Sequence, residues 1–223
     1  MTIMGARWAW RVGTGFWCLL AVAAGVAVWT TEPGGNSIHG LDIYYARDNV
    51  TSALHPVAYM YVTHFAGLVE LTLPLAVTAG VRGPRARFVA GSVAVLVAAV
   101  LVLLAVKTLA DISPYADSSR ASHDRLAAAG LIALAVATLC AAVVLMCRGF
   151  AFYDRFVVVF LAGMGILHLV SMYLLAAVLD PRMSLTLWAW VPGLCDLLAA
   201  GCTAVLVAGT ATARRDAARP LPV

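Results

Sequence analysis

The chain has 223 residues, of which 63% are hydrophobic and only 12% charged, and its formal net charge is +4. Soluble globular chains carry about 45–50% apolar and roughly 25% charged residues, so these values and a mean hydropathy of +0.92 exclude an ordinary soluble domain. The basic residues sit at the ends of apolar runs rather than in one stripe, which excludes a nucleic-acid-binding surface as well.

Crossing about 30 Å of hydrocarbon takes about 20 helical residues. A backbone inside that layer must satisfy its own hydrogen bonds, which for runs this long and apolar leaves only the helix. Six segments qualify: 12–31, 56–81, 88–110, 126–146, 156–179 and 185–210. The expected fold is therefore all-α, a polytopic transmembrane helical bundle of six spans forming a single membrane domain. A short cytoplasmic tail over 211–223, with Arg214, Arg215 and two prolines, reads as a disordered anchor.

The first segment has a second reading. Arg7 and Arg11 ahead of an apolar run resemble a signal peptide, and Gly25-Val26-Ala27 has the small residues of a cleavage site. The run exceeds the usual 7–15-residue signal core, so it is read as a retained span. Cleavage would leave five spans.

The loop over 32–55 contains Asp42-Ile43, Tyr45-Ala46 and Asp48, and ends at His55. The loop over 111–125 repeats the pattern with Asp111-Ile112, Tyr115-Ala116 and Asp117, and has His123 just before the next span. The match suggests a repeated helical hairpin with a period of about 69 residues. Asn49-Val50-Thr51 is an N-glycosylation sequon, relevant only in a eukaryotic or viral setting.

Orientation follows from the cations. Arg7, Arg11, Arg82, Arg85, Arg87, Arg148, Arg155, Arg214, Arg215 and Arg219 flank one set of ends, which gives that side ten of the fifteen basic residues. The positive-inside rule puts this side, and with it both termini, in the cytoplasm. Trp8, Trp10, Trp29, Trp188 and Trp190 lie near segment ends, as an interfacial belt would have them. Arg82 to Arg87 is a short basic turn suited to anionic headgroups. Multi-pass integration is expected in an inner membrane if the source is bacterial, and in an endomembrane or envelope otherwise. The lipid bilayer is the expected partner, with a homo-oligomer or a larger membrane complex also compatible.

Cys18, Cys140, Cys147, Cys195 and Cys202 all lie in or at the ends of apolar runs, without a C-x-x-C. They read as small buried apolar residues rather than as a disulfide framework or zinc cluster.

An ionisable group in hydrocarbon costs several kcal/mol on insertion scales, which makes it a functional-site candidate by default. Four stand inside the spans: His64 and Glu70 in the second, His168 in the fifth and Asp196 in the sixth. Glu70, His168 and Asp196 fall near the middle of their segments. At about 100° per residue Glu70 shares a stripe with Pro56, Met60, Thr63, Gly67 and Pro74, which suits close packing, and His64 lies about 120° away. His168 shares a stripe with Gly165 and Met172, beside Ser171, and Asp196 one with Pro192, Ala199 and Thr203. Pro192-Gly193 is expected to loosen the helix before Asp196, freeing carbonyls for a cation or polar ligand.

Three functional readings follow. The first is a transporter or channel-like protein in which these groups bind or relay a proton or small polar ligand. The second is a non-catalytic scaffold or accessory subunit whose polar groups only bond helix to helix. The third is a metal- or haem-dependent enzyme, with His64 and His168 as axial ligands or a zinc held by His168, Asp196 and Glu70. No cofactor is predicted. The chain lacks H-E-x-x-H, and Ser171 near His168 lacks a Gly-x-Ser-x-Gly setting, so no hydrolase motif is present.

Overall fold

The computed structural model describes residues 3–31, 37–39, 68–80, 83–112, 118–177 and 185–217. Within them lie six helices: α1 (Ile3–Val26), α2 (Leu68–Thr78), α3 (Pro84–Ala110), α4 (Ser118–Arg148), α5 (Phe150–Ala176) and α6 (Val191–Ala217). Two short strands, β1 (Val28–Thr31) and β2 (Ser37–His39), pair antiparallel directly after α1. A single 3₁₀ turn, Leu187–Ala189, precedes α6.

Among the described residues, four apolar helices are long enough to cross a membrane: Pro84–Ala110, Ala121–Arg148, Phe150–Ala176 and Val191–Gly209. The apolar part of α1, Trp10–Val26, is shorter. The first half of the expected second span, 56–67, lies outside the described residues. The chain is thus an all-α membrane protein carrying one small β-ribbon. Its outward faces agree with hydrocarbon as the solvent, since Leu96, Leu103 and Val159 are 66%, 67% and 71% exposed.

Small residues set how closely the helices pack. The buried stripe of α3 is Ala90, Gly91, Ala94, Val97, Ala98, Leu101 and Ala105, and α4 answers with Ala127, Ala128, Leu131, Ala135, Ala141, Ala142 and Leu145. Lipid tails are as apolar as leucine, so such helices associate through close van der Waals packing, which alanine and glycine permit. The chain reverses between α4 and α5 at Gly149 alone, where φ is +90°. A side chain there would be strained, and its Cβ would stand 3.2 Å from Arg87 Nη2.

The helices alternate in direction. At one end Arg11 Nη2 donates to Gly80 O at 2.7 Å, Gly80 N donates to Asp154 Oδ1 at 3.0 Å, and the Arg87 guanidinium lies 6.0 Å from the Phe150 ring centre. Gly13 faces Cys202 and Gly80 faces Leu206 at the same end. The starts of α1, α3 and α5 therefore meet the finishes of α2 and α6 there. At the opposite end Thr186 N donates to Trp29 O at 2.8 Å, and Thr186 Oγ1 donates to Val28 O at 2.6 Å.

Four sequence boundaries shift. Helix α1 stops at Val26 because Val28–Thr31 joins the ribbon. The sixth segment begins as irregular chain and a 3₁₀ turn, so its helix starts at Val191 and not at Leu185, and it continues through Arg214 and Arg215 to Ala217. Helix α4 starts at Ser118, which takes His123 and Asp124 out of the expected loop. Helix α5 starts at Phe150, which draws in Tyr153, Asp154 and Arg155. The 69-residue repeat also loses support, because the positions matching β1 and β2 one period later, 97–100 and 106–108, lie within α3.

Candidate functional site

Helices α5 and α6 make their closest approach at two glycines. A Cβ on Gly165 would stand 2.8 Å from Gly193 O and 3.2 Å from Asp196 Cβ, and one on Gly193 would stand 2.9 Å from His168 Cδ2. The helices run antiparallel, so His168 is level with Gly193 and Asp196 with Gly165. His168 and Asp196 thus flank one glycine contact, about one helical turn apart. Both are 0% exposed. The stripe expected on α6 is buried throughout, with Pro192, Asp196, Ala199 and Thr203 all facing inward. On α5 Gly165, His168, Ser171 and Met172 are buried.

The surroundings of His168 come from three elements. Its Nε2 donates to Ala189 O, 2.7 Å away. A carbonyl only accepts, so Nε2 carries the proton, and Nδ1 of a neutral ring is an acceptor. The Trp29 ring meets the imidazole edge-on, with centres 5.4 Å apart and planes at 90°. Trp29 is itself 2% exposed and fixed by a 2.7 Å bond from Nε1 to Ala24 O. Ala189 belongs to the 3₁₀ turn that Thr186 ties to β1. One histidine therefore joins α5 to the turn preceding α6, under a tryptophan from the α1–β1 junction. On the Asp196 side, Cys18 of α1 is close enough to feel the carboxylate's charge, as is Cys195. Ser171 Oγ is buried and finds no hydrogen-bond partner among the described residues.

The observed helix bounds change where the two groups sit along their own helices. With α6 starting at Val191, Asp196 sits only about 8 Å from the helix start by rise per residue. His168 lies five residues beyond the centre of α5, again about 8 Å toward the Trp29 end. Residues 185–190 form an irregular cap instead of a helical turn, which puts Asp196 in the second turn of its helix. The loosening expected at Pro192-Gly193 is also absent: α6 is helical there, and Pro192 occupies its first turn, where a missing N–H breaks no helical bond.

Glu70 lies in α2, but its side chain is outside the described residues. Thr78 Oγ1 and Tyr153 Oη, 2.7 Å apart, fix a common level for α2 and α5. From that level the Glu70 backbone is about 12 Å away and that of His168 about 22 Å, so the two differ in depth by about 10 Å. Of the packing stripe proposed for Glu70, Pro74 is described, and it is exposed rather than buried. His64 lies outside the described residues, and with it the haem pairing of His64 with His168; the zinc set likewise includes the undescribed Glu70 side chain. Among the described residues, no three His, Cys, Asp or Glu side chains converge as metal ligands.

Sequence reading missed a second polar cluster, at the arginine-rich end. Asp154 is 0% exposed and accepts the Gly80 N–H, while Tyr153, also 0% exposed, bonds Thr78. Asp154-Arg155 had the look of a loop flank, and only the one-residue reversal at Gly149 draws it into a buried helix face. Asp124, 2% exposed on α4, was likewise hidden among apparent loop acids.

No protein-family model, no curated protein and no solved structure matches this chain.

Proposed function

We propose that this chain is a six-span membrane protein, with both termini and its arginine-rich end in the cytoplasm, that binds or relays a proton or small polar ligand through His168 and Asp196. The observation that carries this reading is the burial of two ionisable groups, about one turn apart, on one contact between two apolar helices. Each such group costs about 2.5–3.5 kcal/mol or more in hydrocarbon, whereas tight α5–α6 packing requires only Gly165 and Gly193. His168 is held to Ala189 O through Nε2, which leaves its second ring nitrogen as the position where a proton would be exchanged. Asp196 supplies the second titratable group, and the orphaned Ser171 hydroxyl adds a polar contact beside His168. Glu70 and His64 are further candidates on the second span.

A second reading is favoured by the His168–Ala189 bond. Here the protein is a non-catalytic scaffold or accessory subunit, and the polar groups serve only to bond the helices. Reconstituted protein separates the two. Under the relay reading, His168→Gln and Asp196→Asn lower proton flux down an imposed pH gradient while the protein stays folded. Under the scaffold reading, the same changes lower melting temperature or abundance, and wild-type flux equals that of empty vesicles.

A further inference from the structure

Helices α3 and α4 enclose an apolar groove of about 600 Å³ on their outer side. Gly91, Ser92, Val95, Ala99, Ala142 and Val143 line it, and Met146 packs over Gly91, its Sδ 3.3 Å from where a Cβ would stand. It runs on α3 from Phe88 to Ala99, about 16 Å by helical rise, or half of a 30 Å hydrocarbon core. That length matches a single leaflet of a bilayer. A partner helix would need the depression to cross the whole span.

The mouth of the groove is basic. At 100° per residue Arg85 falls on the same stripe as Phe88, Ser92, Val95 and Ala99, one turn before the first of them. It is exposed, as is Arg87, whose guanidinium lies over the Phe150 ring. Arg148, also exposed, follows Cys147 at the end of the opposite wall. The first turn of the 27-residue α3 has no side-chain cap, so its positive dipole end adds to the same spot.

We propose that this groove is a binding site for an anionic phospholipid of the arginine-side leaflet, with one acyl chain lying along Gly91–Ala99 and the phosphate at Arg85. The chain chemistry is set by the groove's apolar lining and one-leaflet length, and the headgroup chemistry by the cations at its mouth.

The full chain, purified in mild detergent, is titrated with dioleoyl phosphatidylglycerol, dioleoyl phosphatidylcholine and soluble glycerol phosphate, and binding is followed by native mass spectrometry and by melting temperature. Wild type should bind phosphatidylglycerol about fivefold more tightly than phosphatidylcholine, as one cation near a headgroup implies, and should not respond to glycerol phosphate. Arg85→Gln should abolish that preference. Ala99→Phe, at an exposed position at the blind end, should weaken both lipids. Equal binding of the two lipids by wild type, an equal response to glycerol phosphate, or binding unchanged by Ala99→Phe would each overturn the proposal. The wild-type comparison decides even if a variant fails to fold.

Discussion

Gly165 and Gly193 meet backbone to backbone, so that a Cβ on Gly165 would come within 2.8 Å of Gly193 O. That contact fixes the spacing of α5 and α6, and with it the placement of His168 and Asp196 on either side. Gly165→Val should separate the helices and destabilise the protein by about 1–3 kcal/mol, the range for overpacking a tight core. Gly163→Ala, an exposed change with nothing within 4 Å of the new Cβ, should be neutral or slightly stabilising. Thermal melts of both variants in one detergent check the contrast, and equal melting temperatures would mean the contact is not tight.

The cluster at the arginine-rich end makes a second prediction. Asp154→Ala removes the acceptor for Gly80 N and leaves a buried N–H unsatisfied, at about 1–3 kcal/mol. Tyr153→Phe gives up one hydroxyl bond to Thr78 and should cost less, about 0.5–1.5 kcal/mol. Denaturation in mixed micelles ranks the two. A Tyr153→Phe loss exceeding that of Asp154→Ala would show that the aspartate does not carry the junction.

How much of this was legible beforehand depended on the kind of signal. Runs such as 88–110 announce themselves, because a bilayer imposes length and apolarity together, and α3 differs from that segment by a few residues at its start. Asp196 and His168 were legible as exceptions inside such runs. Asp154 was not, because its neighbour Arg155 and its nearness to Arg148 mimic a loop, and its burial depends on Gly80, 74 positions earlier in the chain. Trp29 fitted an interfacial belt equally well from sequence. Only the fold turns it inward, against His168. The β-ribbon escaped because Val28–Thr31 continues an apolar run without a break in pattern.

Thr186 ties the 3₁₀ turn to β1 through both its N–H and its hydroxyl. Thr186→Val keeps the volume and the backbone bond but loses the hydroxyl, and should cost about 1 kcal/mol, whereas Thr186→Ser should be close to neutral. Amide exchange at Trp29 and Ala189 is the finer readout: faster exchange in the valine variant alone fits the tie, and identical exchange in both argues against it.

Topology has its own test. Arg11, Gly80 and Asp154 meet at one end of the bundle, and the proposed orientation, drawn from the positive-inside rule, puts that end in the cytoplasm. In a bacterial host, a fluorescent protein fused after Val223 should therefore fold and fluoresce, and a periplasmic phosphatase fused there should stay inactive. The reverse pattern would invert the orientation.

The central claim, that His168 and Asp196 move a proton or bind a polar ligand, is tested most directly by proton flux. Wild type, Asp196→Asn and His168→Gln are reconstituted at matched density in vesicles holding a pH-sensitive dye, and an acid step is applied outside. The relay account predicts wild-type acidification above that of empty vesicles, and at least about a tenfold loss of rate in each variant, equivalent to about 1.4 kcal/mol on the barrier. Acidification at one rate in all three proteins, or wild type no faster than empty vesicles, would contradict it.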